Sequence, residues 1–377
     1  MRPFVSMRAE TFHQRSAYPV LLAFGALDAA GYSLIAPLLP VISSQTGSSA
    51  AMIGALVGAF PMGIVVGFPL AGRAVIRRSI RTTLLVSLGL LAVGSLAFVF
   101  TSSLPAYFAG RFVMGVGSAG LWIAVTFSTL ERWPGQEYLC MSRIFAAYSV
   151  GGLIGPALGA TGGIRTPFVL YLALTVAAVP AAFLLQTPQE RRSFSPDRST
   201  LRLGGFWAAS AGVLFAYLAL GLSEGVLPLH FATGFDQGQL GLLYVVLGLI
   251  VAGAASLAAR YAPVAMVVAS TVLVTLGLGL AGATTAPIIW VVAMVVVGIG
   301  VGFATTGSTG VLLEAVPTER IVTAMVVWSE IGIVGYLVGP LAGGLVTQSL
   351  GFGMLVIVPA VAAVGTLGVL AVARPRR

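Results

Sequence analysis

Apolar runs recur along the chain at lengths near the 20 or so residues that a helix needs to cross a bilayer core. Read between polar breaks, they fall at 18–42, 50–72, 82–101, 105–130, 141–162, 166–186, 205–229, 239–259, 263–282, 286–313, 321–347 and 352–373. The breaks carry turn chemistry: SSQTGSS at 43–49, TSSLP at 101–105, ATGFDQG at 232–238 and AGATTAP at 281–287. Strands of a membrane barrel would be alternating segments of about 10 residues, whereas these runs are continuous and about twice as long. The pattern therefore predicts an all-α polytopic membrane protein with twelve transmembrane helices. The one long hydrophilic break, TPQERRSFSPDRSTLRLGG at 187–205, divides six runs from six. It predicts an N-terminal six-helix bundle over 1–186, a cytoplasmic linker over 187–203 and a C-terminal six-helix bundle over 204–377.

Composition sharpens this picture. The chain is 58% hydrophobic and 8% charged, with a mean hydropathy of +1.02, against about 25% charged residues in soluble domains. The net charge of +9 is carried entirely by arginine, with no lysine. A basic protein can bind nucleic acid, but these arginines flank the spans, so the bilayer is the expected partner and nucleic acid is not. With the N-terminus inside, 18 of the 20 arginines fall on cytoplasmic segments, leaving Arg165 on an outer loop and Arg111 within a span. By the excess of basic residues on cytoplasmic loops, both termini are expected in the cytoplasm and the protein in the cell (inner) membrane. The first run is long, contains Asp28 and lacks an Ala-x-Ala site, so it reads as a retained helix rather than a cleaved leader. The lone Cys140 cannot form an intrachain disulfide, and His13 and His230 are too few and too far apart for a metal site, so no metal is expected.

The two halves share motifs. GGLIGPALGA at 151–160 and GYLVGPLAGG at 335–344 both fit Gly-x-x-x-Gly-Pro-x-x-Gly-small and start 184 positions apart. MGVG at 114–117 pairs with VGIG at 297–300, LERWP at 130–134 with LEAVP at 313–317, and LPVISSQTG at 39–47 with LPLHFATG at 227–234. The same order, with three of the pairs at offsets of 183 or 184, points to parallel six-helix repeats about an axis along the membrane normal. Gly151, Gly155 and Gly159, and again Gly335, Gly339 and Gly343, recur every four residues and offer faces on which helix backbones pack closely in a bilayer. Pro156 and Pro340 lack an N–H, which frees the carbonyls of Gly152 and Tyr336 and predicts a kink in each span. As repeat equivalents, the two spans are expected to face each other across the pseudo-two-fold axis.

These motifs resemble those of the major facilitator superfamily, and within it the twelve-span drug:proton antiporters. LDAAGYSLIAPLLP at 27–40 is similar to the first helix of the tetracycline and multidrug efflux antiporters, and RFVMGVGSA at 111–119 fits the family's Arg-x-x-x-Gly-x-Gly-x-Ala motif. The Gly-Pro motif of the fifth span marks exporters working by antiport in that family. The family's loop after the second span, Gly-x-x-x-Asp-Arg-x-Gly-Arg-Arg, corresponds to GFPLAGRAVIRRSIR at 67–81. Arg73, Arg77 and Arg78 keep that gating loop's charges, but Gly72 stands where the family has the Asp that helps latch the two bundles.

Ionisable groups cost roughly 2.5–3.5 kcal/mol each at the centre of a spanning helix, so they are the first candidates for function. Four lie well inside the runs, away from their ends: Asp28, Arg111, Glu224 and Glu330. Burial raises a carboxyl's pKa and a nearby cation lowers it; a carboxyl poised between the two can exchange a proton, as proton coupling at Asp28 requires. The structural reading of Asp28 is a paired or hydrated carboxylate. Arg111 keeps its charge and is read as biasing a carboxyl, or else as snorkelling outward; the resemblance ties it to proton transfer. Glu224, late in the seventh run, is read as a second proton site or an attractor for a cationic substrate, or as an interfacial carboxylate in water. Glu330 is read as lining or gating a cavity. Tyr32, Phe112, Trp122, Tyr217, Trp328 and Tyr336 are candidate cavity aromatics, able to hold amphipathic molecules by apolar and cation–π contact, against the plainer reading of helix packing.

The resemblance implies a secondary active transporter exporting small amphipathic compounds or drugs against proton entry by alternating access. The alternatives are an importer or exporter of sugars or other metabolites in the same fold, and a transport-inactive membrane receptor or scaffold. The expected partners are a small-molecule substrate, protons and lipid, with the chain a monomer. No cofactor is expected beyond the proton gradient as coupling ion, and no phosphate-binding loop is present in the sequence.

Overall fold

A computed structural model describes residues 12–133, 136–185, 199–258, 260–317 and 320–373. The predicted linker arginines Arg191, Arg192 and Arg198 and the terminal ones lie outside that set. Twelve long helices are present: α1 (Phe12–Ser33), α2 (Ala50–Arg77), α3 (Ile80–Phe100), α4 (Leu104–Arg132), α5 (Glu137–Gly159), α6 (Arg165–Ala182), α7 (Gly204–Gly225), α8 (Gln237–Ala258), α9 (Pro263–Ala283), α10 (Pro287–Ala315), α11 (Ile321–Leu350) and α12 (Ile357–Ala373). Eleven of them are long and apolar enough to cross a membrane. The other is α5, whose first two turns carry Glu137 and Arg143. The protein is a multi-pass membrane protein, with its helix ends on a linker side (the start of α1, the end of α6, the start of α7, the end of α12) and on an opposite, far side.

Two helices are broken where the sequence repeat places Leu-Pro. After α1 the chain makes a turn at Ala36–Leu38 and a short helix, Leu39–Thr46, with Pro40 in its first turn. After α7 it breaks at Val226 and resumes as Leu227–Phe231, with Pro228 in its first turn. Proline has no N–H to bond the preceding turn but suits the first turn of a new helix. The Leu39–Thr46 helix ends on Gly47 at φ 64°, the left-handed stop that glycine adopts without a Cβ clash.

The packing repeats with the sequence. α1 packs on α5, α2 on α4 and α3 on α6; adding six to each number gives α7 on α11, α8 on α10 and α9 on α12. The motif glycines make the first of these pairings close. A Cβ on Gly151 would strike the backbone of Ala26 in α1, and one on Gly335 that of Leu214 in α7. Such backbone approach is how helices associate in lipid, where water does not drive them together.

Both proline-bearing helices run unbroken through Pro156 and Pro340, so neither residue ends its helix. They also do not pack on each other as expected. Each seats instead on the opposite half: α11 on α2 and α5 on α8. A Cβ on Gly54 would overlap the Pro340 carbonyl oxygen, and one on Gly241 would meet the carbonyl oxygen of Pro156 and the side chain of Ala160. A main-chain carbonyl pressed on a glycine lets two helices from different halves close without side chains between them.

Candidate transport cavity

Between the two sets of helices lies a cavity of about 640 Å³. Its deep end is formed by Tyr32, Tyr148, Tyr217, Glu224, Tyr244 and Tyr336. Its walls continue through Phe145, Thr305 and Thr309 to Tyr261, Pro263, Leu313 and Met325, which sit where α8, α9, α10 and α11 reach the linker side. On the far side it is shut. Besides the two proline contacts, Gly344 packs against Ala50 and Ala51, and two glutamines clasp the halves. The Gln348 Oε1 accepts from the Ser49 hydroxyl (2.9 Å) and the Ala51 N–H (3.3 Å). The Gln237 amide donates to the carbonyls of Gly159 (2.6 Å) and Gly163 (3.2 Å) and accepts from the Gly163 N–H (3.0 Å). Among the described residues the cavity therefore opens toward the linker side.

A layer behind it lies a buried charge. Arg111 is 0% exposed and donates to the carbonyls of Gly31 (3.0 Å) and Tyr32 (3.2 Å) in α1. Those carbonyls precede the α1 break and have lost helical partners, so a guanidinium can occupy them. Its flat face lies 4.4 Å from the centre of the Phe60 ring and 5.8 Å from that of Tyr32, a cation–π arrangement that offsets part of its desolvation. Ser118, seven residues on and so on the same face of α4, sets its hydroxyl against the carboxyl of Asp28. Asp28 is 4% exposed and its Oδ1 finds no hydrogen-bond partner among the described residues.

Aromatic rings join this buried cation to the cavity. Tyr32 packs edge-on against Phe60 (5.1 Å between centroids) and Tyr336 (4.5 Å), and the Tyr336 hydroxyl donates to Glu224 Oε2. Glu224 lies within electrostatic range of Arg111. Arg111 of α4 and Glu224 of α7, one from each half of the protein, thus interact electrostatically.

Tyr32, Tyr217, Glu224, Trp328 and Tyr336 line the cavity as the sequence suggests. Trp328 contributes only its ring, because its N–H is tied to Ala209 O (3.2 Å) and Ser308 Oγ (3.0 Å). Asp28 and Arg111 do not line it but sit behind Tyr32. Trp122 is also a layer back, against Phe145 (5.2 Å) and Tyr148 (5.9 Å). Phe112 is half-buried off the wall, beside the α2 contact at which its carbonyl meets Gly63. Glu330 is half-buried off the wall, since two residues from Trp328 is roughly 200° around a helix. Arg73, Arg77 and Arg78 are exposed at the end of α2, and a Cβ at Gly72 would meet open space. Tyr148, Tyr244, Ser118, Gln237 and Gln348 were not singled out by sequence.

Two related sets of six helices around a central cavity, sealed at one end and open at the other, define a membrane transporter. The profile described as Major Facilitator Superfamily matches residues 21–329, and the chain belongs to that family. It is 29% identical over 185 residues to "Multidrug resistance protein 2" of Bacillus subtilis (strain 168), covering 48% of this chain and 46% of that one. The chain spans about half the length of the curated relatives it matches. Among solved structures, a bacterial homolog to the human lysosomal transporter Spinster, in inward-facing and unoccupied conformation, superposes with a TM-score of 0.73 at 13% identity over 96% of each chain. A D-xylose-proton symporter does so with a TM-score of 0.74 at 15% identity, over 94% of this chain and 96% of that one. These likenesses establish the fold.

Proposed function

We propose that the protein is a proton-coupled exporter of small amphipathic cations in the bacterial inner membrane, with both termini in the cytoplasm. The observation that carries this reading is the pairing of Glu224 with five tyrosines at the deep end of a cavity whose remaining wall is mostly apolar. A carboxylate among aromatic faces attracts a cation, and the apolar wall accepts the rest of an amphipathic molecule. With the linker side cytoplasmic, substrate binds from the cell interior, and Glu224 gives up its proton as the cation arrives. Asp28 is the second exchanging carboxyl, and Arg111, within electrostatic range of Glu224, biases the charge of that site. The halves then rock so that the far-side seal opens. The name of the Bacillus subtilis relative is consistent with drug export.

The test is transport of ethidium, an amphipathic cation, into inverted membrane vesicles. Cells expressing the chain should resist ethidium, and vesicles should accumulate it only while a proton gradient is imposed. Accumulation without a gradient, or growth defects on a nutrient with no change in ethidium sensitivity, would favour a facilitator or a metabolite importer instead.

A further inference from the structure

Helix α6 contributes one buried side chain that neither the sequence motifs nor the cavity wall point to. Tyr171 is 0% exposed, and its hydroxyl finds no hydrogen-bond partner among the described residues. Three residues earlier on the same helix, Phe168 stacks on Phe98 at 3.9 Å. The hydroxyl is directed at α1, where a Cβ on Gly31 would overlap it and the ring edge. Gly31 is the residue whose carbonyl holds Arg111, and it lies three residues from Asp28 on the same face of α1. Two further atoms there are buried without partners: Asp28 Oδ1 and Arg111 Nε.

Three unpaired polar atoms from α1, α4 and α6 thus converge around one glycine. Buried polar groups in folded proteins are almost all bonded, to protein or to ordered water. A phenylalanine would fill the place of Tyr171 without burying a hydroxyl, so the hydroxyl needs a use. The groups facing it are Asp28 from α1, Arg111 from α4, Tyr148 from α5 and the Thr175 hydroxyl of its own helix. Thr175 already donates its proton to the Tyr171 backbone carbonyl (2.9 Å).

We propose that Tyr171 is a positioning residue for proton exchange at Asp28, its hydroxyl bonding the free carboxyl oxygen directly or through one water. A hydroxyl suits both states of a carboxyl: it donates to the ionised form and accepts from the protonated one. It thereby holds the carboxyl in one place while the proton comes and goes. Gly31 is what lets the hydroxyl come so close. This inference rests on the reading of Asp28 as an exchanging carboxyl.

The experiment is proton-driven ethidium accumulation in reconstituted vesicles across a range of pH, with wild type, Tyr171→Phe, Gly31→Ala and Asp28→Asn. Tyr171→Phe removes the hydroxyl alone, and Gly31→Ala displaces it. Either should lower accumulation about tenfold at neutral pH, the loss of one buried bond to a charged group, and should move the half-maximal pH by roughly one unit. Gly31→Ala carries the test if Tyr171→Phe does not fold. An unchanged pH profile in the folded variants overturns the proposal, including when the rate falls equally at every pH, as a purely structural role requires. Loss of accumulation in Asp28→Asn with a wild-type profile in Tyr171→Phe removes Tyr171 and leaves Asp28 standing. Wild-type accumulation in Asp28→Asn overturns the underlying reading whatever Tyr171→Phe does.

Discussion

The far-side seal is held by two glutamines whose removal has a calculable effect. Gln237 makes three hydrogen bonds to the α5–α6 turn, and Gln348 accepts two from the start of α2. All five join one half of the protein to the other, so all break when the halves part. At a partly wetted site each is worth about 0.5 kcal/mol, the low end for a neutral bond. The double variant Gln237→Ala/Gln348→Ala therefore loses about 2.5 kcal/mol of closure, a shift of roughly 60-fold toward the far-side-open state. Val57 reports that state well. It is 1% exposed and packs near Gly225 of α7 inside the seal. With Val57→Cys in a chain whose native Cys140 is changed to Ser, an impermeant maleimide added on the far side should react roughly 60-fold faster in the double variant, and each single variant should fall between. Equal labelling rates in all four proteins would mean that the glutamines do not hold the seal, and that the proline–glycine contacts close it alone.

Glu224→Gln should keep the fold and the Tyr336 contact while weakening ethidium binding about tenfold, measured by fluorescence titration, because the attracting charge is gone. Arg111→Lys should lower proton-driven transport tenfold or more, since a point ammonium cannot span the carbonyls of both Gly31 and Tyr32 as the planar fork does. Gly72→Asp has room for its side chain and restores a carboxylate among Arg73, Arg77 and Arg78. It should favour the far-side-open state by about 0.5–1 kcal/mol, a two- to fivefold rise in Val57→Cys labelling, and screen away at high salt.

The helices were legible because lipid demands long apolar runs, and the pairing of the halves because the repeated motifs are the contacts themselves: Gly151 and Gly335 touch equivalent backbones. The breaks after α1 and α7 were present in the repeated Leu-Pro but went unread, since an apolar run gives no signal where a helix restarts within it. The exclusion of Glu330 from the wall could have been drawn from its helical phase relative to Trp328. What the sequence could not reveal is depth. Asp28 and Tyr32 are one turn apart, yet only Tyr32 reaches the cavity, because Arg111 and Ser118 arrive from a helix far along the chain. Gln237 and Gln348 read as ordinary polar residues at span ends, and Tyr171 as one aromatic among many; each gains its meaning from a partner in another helix.

The central claim is that a carboxyl in α1, buried behind the cavity, couples transport to the proton gradient. Purified wild-type protein and Asp28→Asn, reconstituted in liposomes with a pH-sensitive dye inside and ethidium as substrate, test it directly. Wild type should accumulate ethidium under an imposed gradient and release a matching pulse of protons, while Asp28→Asn, left with Glu224 alone, should accumulate less ethidium and release fewer protons with it. Gradient-driven accumulation at the wild-type rate in Asp28→Asn would contradict the claim.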